Sequence, residues 1–214
     1  MEIIMELFST DFIVFRIGDY PLSLIELIGT ISGLISVYLA SKANLYTWPT
    51  GIINEIAFFI LFYQVHLYSD MLLQVYFLGI SIYGWVFWKE KVKEDEKVLL
   101  LKIYGWIIYS VILLFGTILL GFLMSQIHLY LPDIFIVPTT FPFSDAFTTV
   151  ASILALILLA RKNVASWVLW ILVDIVAIFI YFQKGILFIA WEYVVFLMLA
   201  IIGLFKWIKV YNGG

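Results

Sequence analysis

Seven apolar stretches, near residues 24–41, 46–65, 70–88, 102–124, 144–160, 164–182 and 186–208, leave little of this chain outside a membrane. An α-helix needs about 20 residues to cross roughly 30 Å of hydrocarbon, and each stretch approaches that length, the fifth being the shortest. In lipid every backbone N–H and C=O must find an internal partner, which restricts the choice to helices or a closed barrel. A barrel needs shorter alternating segments and many more turns than are present here. Of the 214 residues 64% are hydrophobic and 13% charged, whereas a soluble domain carries charge on about a quarter. The expected fold class is an all-α integral membrane protein, one membrane domain over 1–214.

Residues 26–88 recur without a gap as 145–207, at a constant offset of 119. The offset carries Glu26 to Asp145, Asn44 to Asn163, Trp48 to Trp167 and Glu55 to Asp174. It also carries Gln64 to Gln183, Gly84 to Gly203 and Trp88 to Trp207, and thirteen of the 63 pairs are identical. Apolar exchanges carry no weight, because any two membrane segments make them. Matching polar residues and tryptophans do carry weight, and they point to a duplication. The pairing defines a first three-helix repeat at 24–88, a connector helix at 102–124 and a second repeat at 144–208. Two three-span units joined directly would insert upside down relative to each other; one extra helix restores the orientation. A 3+1+3 layout of parallel repeats is therefore expected, a plan used by small-solute transporters with the substrate site near the bilayer midplane.

Basic residues orient this layout. One side collects Lys42, Lys89, Lys91, Lys93, Lys97, Lys102, Arg161, Lys162, Lys206 and Lys209, against Arg16 and Lys184 on the other. The positive-inside rule then puts the N-terminus outside and the C-terminus in the cytoplasm. Glu2 and Glu6 stand where a signal peptide needs positive charge, so no cleaved leader is expected. Residues 1–16 alternate acidic and apolar positions and suit a short interfacial helix. The run 89–97 reads as a solvated inner linker, and 125–143, with Pro132, Asp133, Pro138 and Pro142, as a long outer loop. Ser23 and Glu26 form a capping box at the start of the first span, with Pro21 just ahead.

The net charge of −3 and the lack of a long basic run argue against nucleic acid, and the absence of cysteine removes disulfides and thiol chemistry. His66 and His128 stand alone at span ends, so no metal site and no cofactor is expected. No P-loop, Gly-x-Ser-x-Gly or dinucleotide fingerprint is present, and the last span carries no central lysine for a retinal Schiff base.

What remains for chemistry is acidic and aromatic. Glu55, Asp174 and Glu192 lie deepest in the spans, while Glu26, Asp70 and Asp145 lie near helix starts, where a carboxylate offsets the helix dipole. A buried ionised carboxylate costs at least about 2.5–3.5 kcal/mol on insertion scales. No lysine or arginine lies mid-span to offset that cost, so a cationic ligand, protonation or water is required. Trp167, Trp170 and Asp174 share one face of the sixth helix at i, i+3 and i+7, and Trp48, Gly51 and Glu55, beside Asn54, share the matching face of the second. Gln74 and Tyr193 are another offset pair, with Trp191 and Glu192 next to the latter. Trp faces attract cations by about 0.5–2 kcal/mol, so these faces suit a planar, cationic heteroaromatic ring. The plainer reading of tryptophan is an interfacial belt, which is expected for Trp85, Trp88, Trp106 and Trp207 and competes for Trp48 and Trp167.

The segment 48–88 (WPTGIINEIAFFILFYQVHLYSDMLLQVYFLGISIYGWVFW), with FPFSDAF at 141–147, SWVLWILVDIVAIFIYFQKG at 166–185 and WEY at 191–193, resembles the PnuC transporters of bacteria. The similarity covers both repeats, and Gln74 with Gly84-Trp85 and Trp167-x-x-Trp170 is its specific part. The resemblance implies a homotrimer of seven-helix, SWEET-like protomers in the inner membrane. It implies facilitated diffusion of nicotinamide riboside, without ATPase or coupling ion, and trapping by cytoplasmic phosphorylation. It also implies a substrate site at Asn54, Gln74, Trp167, Trp170, Asp174, Glu192 and Tyr193, to which the residue reading adds Trp48. The chain departs from the family in carrying Asp174 where some members have Asn. Thiamine, riboflavin or a deoxynucleoside are alternative substrates within that family. A membrane receptor that binds without translocating, and an intramembrane enzyme using Asp174 and Glu192, are the other classes; the expectation is a transporter, not an enzyme.

Overall fold

A short antiparallel hairpin, β1 (Ile13–Ile17) and β2 (Tyr20–Ser23), leads into seven helices, each of 18 residues or more, among the described residues. They are α1 (Leu24–Ser41), α2 (Thr47–Gln64), α3 (Tyr68–Lys93), α4 (Ile103–Tyr130), α5 (Pro142–Ala160), α6 (Ala165–Gln183) and α7 (Leu187–Tyr211). The computed structural model describes residues 7–18, 20–65, 68–93, 98–130 and 140–213, apart from the side chains of 68–70, 91–93 and 188. Six of the helices are long and apolar enough to cross a membrane. The remaining one, α2, has the length, but Thr47, Thr50, Asn54, Glu55 and Gln64 leave it without an 18-residue window as apolar as those of the other six. These polar groups are what a helix needs when it faces other helices rather than lipid.

Ser23 caps α1 as expected, its Oγ accepting from the Glu26 N–H at 3.3 Å. The Glu26 carboxylate instead accepts from the Tyr20 hydroxyl of β2. The expected interfacial helix over 1–16 meets a different outcome where it is described. Residues 13–16 belong to β1, because β-branched and aromatic residues here pair with β2, while 1–6 lie outside the described residues. Gln64 holds this N-terminal segment at the end of α2: its Oε1 accepts from the Thr10 N–H and its Nε2 donates to the Phe8 carbonyl, both at 2.8 Å. The charged linker begins later than expected, since 89–93 continue α3, and 94–97 are outside the description. Residues 125–130 likewise prolong α4 and Pro142 opens α5, so the outer loop is shorter than 125–143; of its prolines and Asp133, only Pro142 is described.

The chain divides into two units. The first comprises Met1–Lys97, Ala160–Lys162 and Ile202–Gly214, and the second Val98–Leu159 and Asn163–Ile201. In the first unit α1 packs on α2 and α2 on α3. Polar pairs tie these helices: Ser36 Oγ donates to the Thr47 carbonyl at 2.8 Å, Thr47 Oγ1 to the Ser36 carbonyl at 2.9 Å, and Asn54 Nδ2 to the Gly29 carbonyl at 2.8 Å. In the second unit the core is Leu154, Ala155 and Leu158 of α5 with Ala165 and Leu169 of α6, bordered by Trp106 and Leu113 of α4. Gly121 of α4 lets the Phe143 ring sit against its backbone, the close approach that small residues give membrane helices.

The belt reading fails for two tryptophans. Trp88 and Trp207 are 0% and 1% exposed, and both indole N–H groups donate at 3.0 Å to helix-end carbonyls, Trp88 to Ala160 and Trp207 to Ala40. Carbonyls in the last turn of a helix lack the usual intrahelical donor, so they are open to an indole N–H; the Ala40 carbonyl also accepts from the Ala43 N–H at 2.8 Å. The two rings also meet, with centroids 6.0 Å apart. Trp106 is half-buried against the core of the second unit, whereas Trp85 is exposed, as a belt residue would be.

Gly84 makes a prediction possible. A Cβ there would lie 2.5 Å from the Trp48 ring, whereas a Cβ at Gly79, on the same helix, meets nothing within 4 Å. Gly84→Ala is expected to destabilise by about 1–3 kcal/mol through overpacking, and Gly79→Ala to be neutral or mildly stabilising. Thermal unfolding of the two purified variants checks this; equal midpoints would remove the close approach.

Candidate functional site

The candidate residues of α2 and α6 follow turns of the same build. Ala43 and Lys162, 119 residues apart, are the two non-glycine positions in the left-handed region among the described residues, with φ of 50° and 53°. The next residue in each turn is asparagine, and its side chain does the same work twice. Asn44 Oδ1 accepts from the Tyr46 N–H at 2.9 Å, and Asn163 Oδ1 from the Ala165 N–H at 3.0 Å. Asn44 N–H donates to the Leu39 carbonyl and Asn163 N–H to the Leu158 carbonyl, again 119 apart. Asparagine side chains that bond the backbone two residues on are standard turn formers, which explains why this residue recurs. The consequence is that Trp48 and Trp167 enter the first turns of their helices, both fully buried.

Within the first unit, the Trp48 ring lies over Gly84 and meets Trp88 edge to face, with centroids 5.2 Å apart. Its Nε1 is buried without a hydrogen-bond partner among the described residues. Asn54 is half-buried and commits its Nδ2 to Gly29 in α1, leaving its Oδ1. Gln74 is half-buried in α3. Glu55 is 6% exposed, and its Oε1 accepts from Ser81 Oγ at 2.5 Å.

Within the second unit, α6 presents Trp167, Trp170 and Asp174 at the expected spacing. Trp170 is half-buried, packed on the Leu154–Leu169 core and only partly covered by it. Asp174 is 3% exposed, and among the described residues no protein group donates to its carboxylate. Glu192 and Tyr193 of α7 are half-buried. Tyr193 stacks on Tyr181 of α6, with centroids 5.5 Å apart and planes at 16°. Trp191 points outward and is exposed, unlike its neighbour Glu192. Near the opposite end of α6 from Trp167, Lys184 Nζ lies 3.8 Å from Asp145 Oδ1, so the carboxylate in the first turn of α5 has a cationic partner.

The reading by residue type missed Tyr181, whose stacking on Tyr193 depends on the packing of α6 against α7. It also placed Trp88 and Trp207 in the wrong environment. The available signal was their match across the offset: a tryptophan retained in both copies at a helix end, opposite helix-end carbonyls. Chemically, the second unit offers a partly open indole and a buried carboxylate one turn apart on α6, and the same unit carries Glu192 and the Tyr181–Tyr193 pair, Tyr181 lying about two turns beyond Asp174. Such groups bind a flat, electron-poor or cationic ring by stacking and charge. No group of three or more His, Cys, Asp or Glu lies together among the described residues to hold a metal ion.

Comparison with known proteins bears on the family and the fold. Residues 23–209 match the family described as nicotinamide mononucleotide transporter. The nicotinamide riboside transporter PnuC of Escherichia coli (strain K12) is 32% identical, over 96% of this chain and 95% of that protein. The riboflavin/roseoflavin transporter RibM of Streptomyces davaonensis is 27% identical, over 85% of this chain and 83% of that protein. The crystal structure of the vitamin B3 transporter PnuC superposes with a TM-score of 0.65 at 19% identity, covering 88% of this chain and 82% of that one, which establishes a shared fold.

Proposed function

The chain belongs to the nicotinamide mononucleotide transporter family, and from that membership we propose that it carries nicotinamide riboside across a bacterial inner membrane by facilitated diffusion. The observation that carries the reading is the 32% identity to the Escherichia coli nicotinamide riboside transporter along nearly the whole of both chains. The second unit supports it chemically. Nicotinamide riboside is a flat pyridinium cation bearing a ribose, and Trp170 with Asp174 supplies an aromatic face and a buried carboxylate that no described protein cation neutralises. We place Glu192 and Tyr193 of the same unit with them as polar contacts and Trp167 as a buried support; Asn54, Gln74 and Trp48 are the candidate substrate residues of the first unit. Passage is passive, and phosphorylation by a cytoplasmic kinase traps the riboside as an anion that no longer fits an acidic site.

The 3+1+3 arrangement of parallel repeats, with the N-terminus outside, belongs to the same proposal. Its support is the turn repeated at an offset of 119, together with the reciprocal hydrogen bonds of Trp88 to Ala160 and Trp207 to Ala40. In the latter, the third helix of each repeat reaches the end of the first helix of the other. Assembly as a homotrimer completes the proposal; α4, apolar and exposed along most of its length, supplies surface for lipid and for neighbouring copies.

The test is uptake of labelled nicotinamide riboside into liposomes containing only this protein. Saturable uptake is expected, unchanged when proton and sodium gradients are collapsed. Uptake that needs either gradient rejects the passive mechanism, and saturable binding without uptake favours a receptor. Riboflavin is the second reading, favoured by the 27% identity to the Streptomyces davaonensis transporter. Competition separates the two: excess unlabelled nicotinamide riboside, but not riboflavin, is expected to abolish uptake.

A further inference from the structure

Lys42 and Lys206 converge on one aromatic ring. Their Nζ atoms lie 4.3 Å and 5.9 Å from the centroid of Tyr38, although one lysine caps α1 and the other is on α7. Both belong to the first unit. Among the described residues neither forms an ion pair, and the carbonyls at the end of α1 are already used. The Tyr38 carbonyl accepts from Ser41 Oγ, the Leu39 carbonyl from the Lys42 and Asn44 N–H groups, and the Ala40 carbonyl from the Ala43 N–H and Trp207 Nε1. The dipole of α1 attracts Lys42. Lys206, however, stands more than a turn before the end of α7, and a helix dipole fades within the last turn. Two like charges brought to one ring repel each other, and an anion beside them turns that repulsion into attraction.

What carries the anion follows from the surface leading up to it. Ile31, Ile35, Tyr38 and Lys42 recur at i, i+4, i+7 and i+11, one face of α1, and Ile202, Lys206 and Lys209 at i, i+4 and i+7 on α7. Ile31, Ile35, Tyr38 and Ile202 are 44–47% exposed, so on each helix an open apolar surface ends in lysine. From Ile31 to Lys42 the helix rises about 16 Å, close to the roughly 15 Å of one hydrocarbon leaflet. A free phosphate would use the lysines alone. A phospholipid uses the apolar face as well, with its phosphate at the lysines and its acyl chains along Ile35 and Ile31.

The second repeat has the same face covered by protein. The offset of 119 carries Ile31 to Val150, Ile35 to Leu154 and Tyr38 to Ile157. Leu154 is 5% exposed, in the core on which Tyr109 and Leu113 of α4 pack, and Val150 lies against Gly116 of α4. The connector helix thus fills in the second unit the place that is open in the first. The head-group end also differs, because Tyr38 and Lys206 correspond to Ile157 and Phe87. We propose that Lys42, Lys206 and the Ile31–Ile35–Tyr38 face of α1 hold one anionic phospholipid, with its phosphate between the two ammonium groups. Basic pockets between membrane helices take such head groups.

The test uses the purified full-length protein without any vitamin, so its outcome is independent of what the protein transports. Native mass spectrometry with phosphatidylglycerol and phosphatidylcholine titrated together is expected to show one phosphatidylglycerol retained per chain, in preference to phosphatidylcholine. Replacing both lysines, Lys42→Gln with Lys206→Gln, is expected to weaken that retention roughly thirtyfold. Lys42→Gln alone, at an exposed position, is expected to weaken it roughly fivefold and serves if the double variant does not fold. Lys102→Gln, at an exposed position of the second unit, is expected to leave it unchanged. Equal retention of the two lipids, or undiminished retention in both the single and the double variant, would overturn the site. Displacement of the lipid by an equal concentration of inorganic phosphate would replace it with a free-anion site and so reject it. The chain has no cysteine of its own, so Ile35→Cys introduces a single thiol. A disulfide between two copies of that variant would give the face to a second chain and also reject the lipid; none is expected.

Discussion

Trp170→Ala is expected to weaken binding of nicotinamide riboside by more than about tenfold, with Trp170→Phe recovering most of the loss. Stacking of a heteroaromatic base on an aromatic side chain is worth about 1–3 kcal/mol by alanine substitution, which corresponds to roughly fivefold to more than a hundredfold in affinity. Trp170 is the residue to test because it is the half-buried member of its helical face; Trp167 and Asp174 on that face are fully buried. Truncation also removes packing on the Leu154–Leu169 core, so a titration of folded protein is needed, with the midpoint of unfolding measured in parallel. Near-normal affinity in a folded Trp170→Ala protein would exclude the aromatic platform. Asp174→Asn keeps the shape and removes the charge. It is expected to lower affinity for the pyridinium cation while sparing the uncharged dihydro form of the riboside, so the ratio of the two affinities isolates the electrostatic part.

Trp207→Ala is expected to have the largest effect on stability. The side chain is 1% exposed, its ring meets Trp88, and its N–H satisfies the Ala40 carbonyl at the end of α1. Truncating a buried aromatic residue costs about 3–5 kcal/mol, which for a chain of this size is a fall of roughly 6–20 °C in the unfolding midpoint. Trp207→Phe keeps most of the ring but loses the N–H; the Ala40 carbonyl still accepts from the Ala43 N–H at 2.8 Å, so the loss is that of one hydrogen bond, about 0.5–1.5 kcal/mol. An intermediate midpoint is therefore expected. Trp85→Ala, at an exposed position on α3, is the contrast and is expected to shift the midpoint little. Equal midpoints for Trp207→Ala and Trp85→Ala would return Trp207 to the lipid interface.

The membrane helices were legible because lipid leaves the backbone so few choices: a long apolar stretch becomes a helix, and its ends fall near the first polar residues. The ends shifted where charged or polar residues still favour helix, as at 89–93 and 125–130. The spacing of Trp167, Trp170 and Asp174 likewise gave a shared helical face, because 3.6 residues per turn is a local property. The pairing of 26–88 with 145–207 gave more than periodicity does, since it marked Asn44 and Asn163 as equivalent, and both do form the same turn.

Which atoms surround a side chain was not local and was not legible. Trp85 and Trp88 are three residues apart and have the same propensities, yet one is exposed and the other buried on the Ala160 carbonyl, 72 residues away. Glu55 and Asp174 are equivalent by sequence offset, yet Ser81 donates to the first and no described protein group to the second. Sequence by itself determined the helices, their number and the faces on which acidic and aromatic residues fall, because those follow from hydropathy and helical pitch. Only the tertiary structure decided which of those residues are walled in and which are left for a ligand. Burial and hydrogen bonding belong to contacts between segments far apart in the chain, and no local pattern encodes them.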